Sequence, residues 1–350
     1  MEKRLGYIDA AKGFGMLLII WGHVAIIPNG ISIWASGFKV SLFFMVSGLL
    51  VAHSSMCHPS KKELPMRAAA KKLSRSLLVP YFGYSVLAVA AHLLYGFIKH
   101  EDLPALLAND IYMTLTLRGI STLWFLPAMF IGRFLFELCG MRRKKRVFHL
   151  AFLLLFGGLL YAAQNLMPLT EIFPLAECPL LTVLRGGMAL WFFEAGWFVG
   201  TLPDNIKKHV LSWYSAVAMF LLTIVLALLN REVNINQYIL GSIPALFFVT
   251  GITGTLSLVV LLRCVYRFFS IPPLEYFGKN SLIIMSTHMP LYFTAIATRL
   301  VNIFLHEQAL SPMYFVQCLL GLLLVVLMEI ILITIRDAVK KRIWSGKRYE

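Results

Sequence analysis

The sequence predicts an all-α integral membrane protein, folded as a bundle of about ten transmembrane helices. Hydrophobic residues make up 59% of the 350 residues and charged residues only 14%, whereas soluble domains average about 45–50% and about 25%. The mean hydropathy is +0.77. Because a soluble core of this length cannot bury so much apolar surface, the composition excludes a soluble enzyme, a disordered chain and a disulfide-rich secreted module.

Ten apolar runs are long enough to cross the membrane, and charged or Pro/Gly-rich breaks separate them. A helix needs about 20 apolar residues to cross a hydrocarbon layer of about 30 Å. The candidate spans are residues 12–29, 36–53, 76–98, 122–140, 148–167, 186–203, 210–229, 239–262, 280–304 and 312–335. The segments between them are short, so we expect one transmembrane domain over residues 1–350 with no appended soluble domain.

The basic residues predict the orientation of the bundle. The formal net charge is +15, and a cytoplasmic N-terminus puts all but seven of the 32 Lys and Arg residues on the cytoplasmic side, as the positive-inside rule requires. We therefore expect both termini in the cytoplasm and assign the positive charge to loops beside anionic lipid rather than to nucleic-acid binding. The five cysteines form no CxxC pair, so we expect neither a disulfide framework nor a metal site.

The first span carries three ionisable residues, Asp9, Lys12 and His23. Such residues cost several kcal/mol inside a membrane and are functional candidates by default. Lys12 and His23 fall within about 20° on one helix face, and a rise of about 16 Å places His23 near mid-membrane with Lys12 at the cytoplasmic lip. Asp9 is placed to pair with Lys12. His23 is either a general base for a hydroxyl or thiol or a structural histidine bonded to a neighbouring helix.

Three further motifs lie in or beside the next spans. Ser47 ends the run Phe-Phe-Met-Val-Ser before Gly48 and either orients His23 or a ligand, or serves close helix packing. Lys72 and Arg75 belong to a basic cluster that either holds the phosphates of a nucleotide-like cofactor or anchors the chain at the inner surface. Trp124 either helps to shape a binding pocket or belongs to the interfacial aromatic belt.

Four charged residues and a histidine in the later spans are further candidates. Arg133 and Glu137 are four residues apart, so we expect them to neutralise each other. Glu194 and Glu329 are lone acids within spans, and each either serves a proton path, binds a sugar hydroxyl or pairs structurally. His288 precedes a proline by two residues, and that proline loosens the helix beside it.

Five of these motifs resemble, in order and over most of the chain, the membrane acyltransferase-3 family, whose members O-acetylate sugars and surface polysaccharides in bacterial membranes. The matching segments are Asp9, Lys12 and His23, then Phe43–Gly48, Lys72–Arg75 with Pro80 and Tyr81, Leu123–Phe125, and His288–Pro290. The family commonly has arginine at the position of Lys12, and the lysine is more similar to the branch of fucose or exopolysaccharide acetylases.

The resemblance implies transfer of an acetyl group from cytoplasmic acetyl-CoA, as co-substrate, to a hydroxyl of a sugar or glycan at the outer face of the bacterial cytoplasmic membrane. It implies no metal and no nucleic acid, and it is compatible with a homo-oligomer. The implied catalytic residues are His23, Asp9 and Ser47, the residues that bind the donor are Lys12, Lys72, Arg75 and Trp124, and His288 and Glu194 contact the acceptor.

Two other interpretations remain open from the sequence. Ten spans with buried Glu194, Glu329 and His23 also suit a proton-coupled transporter, or a flippase of a small solute or a lipid-linked sugar. Among enzymes, succinyl transfer is the alternative to acetyl transfer.

Overall fold

The computed structural model describes residues 5–58, 65–305 and 311–346. Over these ranges the regular elements are helices, apart from one isolated antiparallel bridge between Asn234 and Ile239. The predicted all-α membrane class is confirmed. The two ends of the chain lie outside the described residues, so their cytoplasmic location stays a prediction.

Seventeen α-helices follow one another over the described ranges. The first six are α1 (Gly6–Val24), α2 (Gly30–Ser36), α3 (Ser41–Cys57), α4 (Met66–Leu73), α5 (Val79–Lys99) and α6 (Leu103–Leu115). The next six are α7 (Phe125–Leu138), α8 (Arg146–Ala163), α9 (Leu169–Ile172), α10 (Glu177–Gly200), α11 (Asp204–Val210) and α12 (Trp213–Asn230). The last five are α13 (Pro244–Val265), α14 (Pro272–Lys279), α15 (Ser281–Thr287), α16 (Phe293–Phe304) and α17 (Pro312–Gly346).

Two irregular turns lie beside these helices and matter for the site. A π-helical turn over Ser74–Leu78 joins α4 to α5, so that residues 66–99 form one continuous helix of 34 residues. A 3₁₀ turn over Ser121–Trp124 leads into α7. The short helix α2 begins at a side-chain cap, where the Asn29 side chain accepts from Ser32 N at 2.9 Å and satisfies one of the free N–H groups of that helix end.

By length and composition, seven of the described helices can cross a membrane, or eight if α2 and α3, bent by 40°, count as one span. The predicted number of ten is therefore not confirmed. α1 carries Asp9 and Lys12 and is not apolar enough to count by composition alone. It lies inside the bundle, in contact with α2, α3 and all of α13–α17.

The predicted span over residues 280–304 is broken in two. α15 ends at Thr287 and α16 begins at Phe293, because Pro290 donates no backbone hydrogen bond and disfavours helix at the residue before it. Tyr292 adopts a left-handed backbone with φ 60° in the turn. The break leaves His288 at the end of α15.

α14 crosses the N-terminal half of α1, and the two backbones are in direct contact. A Cβ atom on Gly13 would lie 2.0 Å from the carbonyl oxygen of Leu274, and one on Gly278 would lie 1.8 Å from the carbonyl oxygen of Asp9. Only glycine permits an approach this close. The reciprocal pair fixes the N-terminal half of α1, where Lys12 lies, against α14.

α3 and α10 cross in the same way. A Cβ atom on Gly48 would lie 1.9 Å from the carbonyl oxygen of Phe193, and one on Gly196 would lie 2.0 Å from that of Met45. Outward-facing leucines on α8, such as Leu155 at 76% exposure, form the kind of surface that lipid covers. The buried helices α1, α3, α10 and α13 thus form the centre of the bundle, and the more apolar helices surround them.

Candidate functional site

A cavity of about 170 Å³ lies where α1, α3, α7, α15 and the π-helical turn meet. Its polar lining comes from Lys12, Ser47, Ser76, Arg133 and Ser281. Its apolar lining comes from Phe43, Leu77, Phe125, Leu126, Met129, Leu282 and Met285. Two cationic side chains beside an apolar wall can hold a ligand that combines anionic groups with an apolar arm.

Arg133 belongs to this cavity, contrary to the expected pairing with Glu137. Glu137 is instead bound by Arg142, whose Nε donates to Glu137 Oε2 at 2.9 Å. The Gly140 turn, with φ 59°, brings Arg142 back to Glu137. Arg133 Nε is buried and has no hydrogen-bond partner within the described ranges. An arginine inside a span is itself a sequence signal of function. Arg133 is nevertheless absent from the predicted site residues, because Glu137, four residues later, is its expected partner.

Lys72 and Arg75 lie on exposed surface beside the cavity rather than in its lining. Arg75 is on the π-helical turn, and the next two residues of that turn, Ser76 and Leu77, line the cavity. This turn packs against α7, the helix that carries Arg133. π-Helical turns are rare and frequent at functional sites. The structure thus places Lys72 and Arg75 on the exposed protein surface close to the cavity and not in its lining.

The remaining residues predicted at this end are fixed by local contacts. Ser47 lines the cavity, and its hydroxyl donates to the Phe43 carbonyl at 2.8 Å. Asp9 is 3% exposed, beneath α14. Trp124 is 6% exposed and its ring faces the guanidinium of Arg185 at 5.1 Å. Trp124 is therefore an interior residue and not part of an interfacial belt, and it packs behind the cavity-lining Phe125.

His23 and His288 form a ring pair at the far end of α1. Their ring centroids are 5.4 Å apart with an angle of 46° between the planes. His23 is exposed, whereas His288 is completely buried. His288 Nδ1 lies 2.5 Å from the Ile284 carbonyl oxygen, and a carbonyl only accepts, so this nitrogen carries the proton. The Nε2 atom of a neutral His288 is then a hydrogen-bond acceptor, and it is buried without a partner in the described part of the chain.

Two helices connect the cavity with the histidine pair. α1 carries Lys12 in the cavity and His23 about 16 Å further along the same face. α15 carries Ser281 and Met285 in the cavity wall and ends next to His288. Because His288 follows Ser281 by seven residues, about two helical turns, the two side chains lie on the same helix face. The site consists of these two places and the helices that link them.

Glu194 and Glu329, the lone acids of the sequence, both have partners. Glu194 is completely buried and is hydrogen-bonded to His149, whose other ring nitrogen lies 3.2 Å from the Lys144 carbonyl. Glu329 is bonded to the Thr287 hydroxyl through both carboxylate oxygens, at 2.8 and 2.9 Å. Glu194 lies outside the cavity lining, so the structure favours its structural interpretation.

Among the described residues, no group of three or more His, Cys, Asp or Glu side chains is placed to hold a metal ion. The geometry thus combines a basic cavity with a histidine pair, both inside an all-helical bundle. These features define a class: a multi-pass membrane protein with an internal cavity lined by two cationic side chains and with an exposed imidazole paired to a buried one.

The family follows from comparison with known sequences. A family model described as an acyltransferase domain, Acyl_transf_3, matches residues 5–333, and the chain belongs to this acyltransferase-3 family. The protein is therefore a membrane acyltransferase. No protein with a curated description and no solved structure shows a significant match to the chain.

Proposed function

We propose that this protein is an O-acyltransferase of the bacterial cytoplasmic membrane that moves an acetyl group from cytoplasmic acetyl-CoA to a hydroxyl of a sugar or surface glycan at the outer face. One observation carries the proposal. The basic cavity at Lys12 and the histidine pair at His23 share two helices, α1 and α15, and lie about 16 Å apart along α1. That separation suits a long donor whose charged end and reactive end are far apart.

The donor's charged end matches the cationic groups around the cavity. Lys12 and Arg133 line it, and Lys72 and Arg75 lie on the adjoining surface. Phosphates form strong charge-assisted hydrogen bonds with such side chains, and arginine binds them through two parallel bonds. Asp9, buried three residues before Lys12 in the chain, acts in this proposal by holding the inner end of α1. The apolar wall formed by residues such as Phe125 and Met285 then guides the pantetheine arm toward His23.

His23 acts as the general base. Its exposed imidazole is accessible to an acceptor hydroxyl, and a neutral imidazole takes up the hydroxyl proton as the oxygen attacks the thioester carbonyl carbon. The new C–O bond forms, the C–S bond breaks, and the proton moves from His23 to the CoA sulfur. Ser47 and Trp124 contribute to the donor side, Ser47 in the cavity wall and Trp124 behind Phe125.

The experiment is CoA release by the purified protein in detergent, with a panel of sugars and with acetyl-CoA and succinyl-CoA as alternative donors. We expect thiol release that depends on acetyl-CoA, on an added sugar and on His23. His23→Gln should lower its rate about 10²–10⁴-fold, the usual contribution of a general base, while His209→Ala, which changes an exposed histidine on α11, should leave it unchanged. Native activity in a correctly inserted His23→Gln variant contradicts the role of His23. If neither donor is consumed, a proton-coupled transporter or a flippase becomes the better interpretation of the bundle.

A further inference from the structure

Lys39 lies beside the histidine pair, in the break between α2 and α3. A Cβ atom on Gly22 would lie only 2.1 Å from Lys39 Nζ, so the ammonium group rests directly on the backbone of α1, at the residue before His23. The positive charge of Lys39 acts on both His23 and His288. The lysine side chain is half-buried.

The Lys39 ammonium has no carboxylate at salt-bridge distance and no hydrogen-bond acceptor within the described ranges. Glu232, which is exposed, acts on it only from a greater distance. Glu194 and Glu329 are engaged by His149 and Thr287. A cation that is partly removed from water and left without a counter-ion is costly. A negative charge that develops on a bound substrate can balance this cation.

We propose that Lys39 is a catalytic residue, whose ammonium group stabilises the oxyanion formed on the thioester carbonyl oxygen during transfer. This inference rests on the proposed acyl transfer. When the acceptor oxygen attacks, the carbonyl π electrons move onto the carbonyl oxygen, which becomes negatively charged next to Lys39. The carbonyl then re-forms, the C–S bond breaks, and the proton taken up by His23 passes to the departing thiolate.

The position of Lys39 favours the oxyanion over a carboxylate of the donor or acceptor. Lys39 Nζ lies against Gly22, the residue that precedes the proposed base His23. In this proposal the ammonium group therefore lies close to the reacting atoms. A cation that is partly removed from water and already lies beside the proposed base stabilises a developing negative charge, because little reorganisation is needed during the reaction. The Nδ1 proton of His288 is held by the Ile284 carbonyl, so it is not available to the oxyanion.

The test compares steady-state acetyl transfer by the full-length protein and its Lys39→Met variant, which keeps the side-chain length and removes the charge. We expect kcat to fall about 10²–10³-fold, as for the loss of one oxyanion donor, with the KM values for acetyl-CoA and sugar changing much less. Lys39→Arg should retain part of the activity. Because an unpaired charge is removed, the thermal unfolding temperature of Lys39→Met in detergent should not decrease.

Gly22→Ala provides a second test that leaves Lys39 in the chain. The added methyl group meets only the flexible end of Lys39, so α1 persists while the ammonium moves away, and kcat should decrease. Gly83→Ala is the matched control, since its Cβ atom would have no neighbour within 4 Å on α5; its kcat should equal that of the native protein.

A native kcat in Lys39→Met contradicts the proposed role of Lys39 and leaves the proposed acyl transfer intact. An unchanged kcat with a raised KM confined to succinyl-CoA or an acidic acceptor also overturns it, in favour of a carboxylate-binding site. Absence of acyl transfer by the native protein contradicts the proposed function, and the Lys39 assignment with it.

Discussion

The imidazole rings of His23 and His288 lie 5.4 Å apart, centroid to centroid, although they belong to the first and the fifteenth helix of the chain. His288 is completely buried and His23 is exposed. The buried ring therefore supports the exposed ring from behind. We therefore propose that His288 positions the imidazole of His23, in place of the acceptor contact that the family resemblance implies.

His288→Ala is expected to lower kcat/KM for acetyl transfer about 10²-fold, because His23 loses the ring that holds it and small misplacements of a catalytic group are costly. The measurement is a double-mutant cycle with His23→Gln. If the two histidines act as one unit, adding His288→Ala to His23→Gln has no further effect. Fully additive losses would show that His288 acts separately.

Arg133→Met is expected to raise the KM for acetyl-CoA about 10- to 100-fold with little change in kcat, since a hydrogen bond to a charged group contributes about 1.5–3 kcal/mol. Arg133 lines the cavity and its Nε has no partner in the described part of the chain. Arg267→Met changes an exposed arginine and serves as the control. Equal KM values for the two variants would remove Arg133 from the donor site.

His149→Ala is expected to lower the free energy of unfolding in detergent by about 3–5 kcal/mol, because it leaves the buried Glu194 carboxyl without its partner. The double variant with Glu194→Leu should recover part of the loss. Activity per folded molecule should stay near the native value, because the pair lies outside the cavity lining. Thermal unfolding together with kcat/KM distinguishes the two effects, and a specific loss of activity would place Glu194 in the reaction.

Gly278→Ala is expected to destabilise the protein by about 1–3 kcal/mol or more, the usual cost of overpacking. The new Cβ atom would lie 1.8 Å from the Asp9 carbonyl oxygen, and backbone cannot yield as a flexible side chain does. Gly158→Ala, which meets no atom within 4 Å, is the matched control on α8. A native unfolding temperature for Gly278→Ala would show that α1 and α14 are not fixed against each other at this point.

The sequence by itself determined the class of protein. A soluble core of this length cannot bury 59% hydrophobic residues, so the apolar surface must face a membrane. The sequence also determined the family, through five motifs in order, and the common face of Lys12 and His23, because helix period and rise depend on local backbone geometry alone. The structure has Lys12 in a cavity wall and His23 in a ring pair, both on α1.

Only the tertiary structure decided which distant groups meet. The number of spans depends on where helices break, and Pro290 divides a run that is continuous in composition. Glu137 is bound by Arg142 and not by Arg133, because a turn brings a later residue closer than the one four positions away. The meeting of His23, His288 and Lys39 depends on which helices pack around α1 and on the space left by Gly22. Local period fixes the face and depth of a side chain, whereas its partners depend on how whole helices cross.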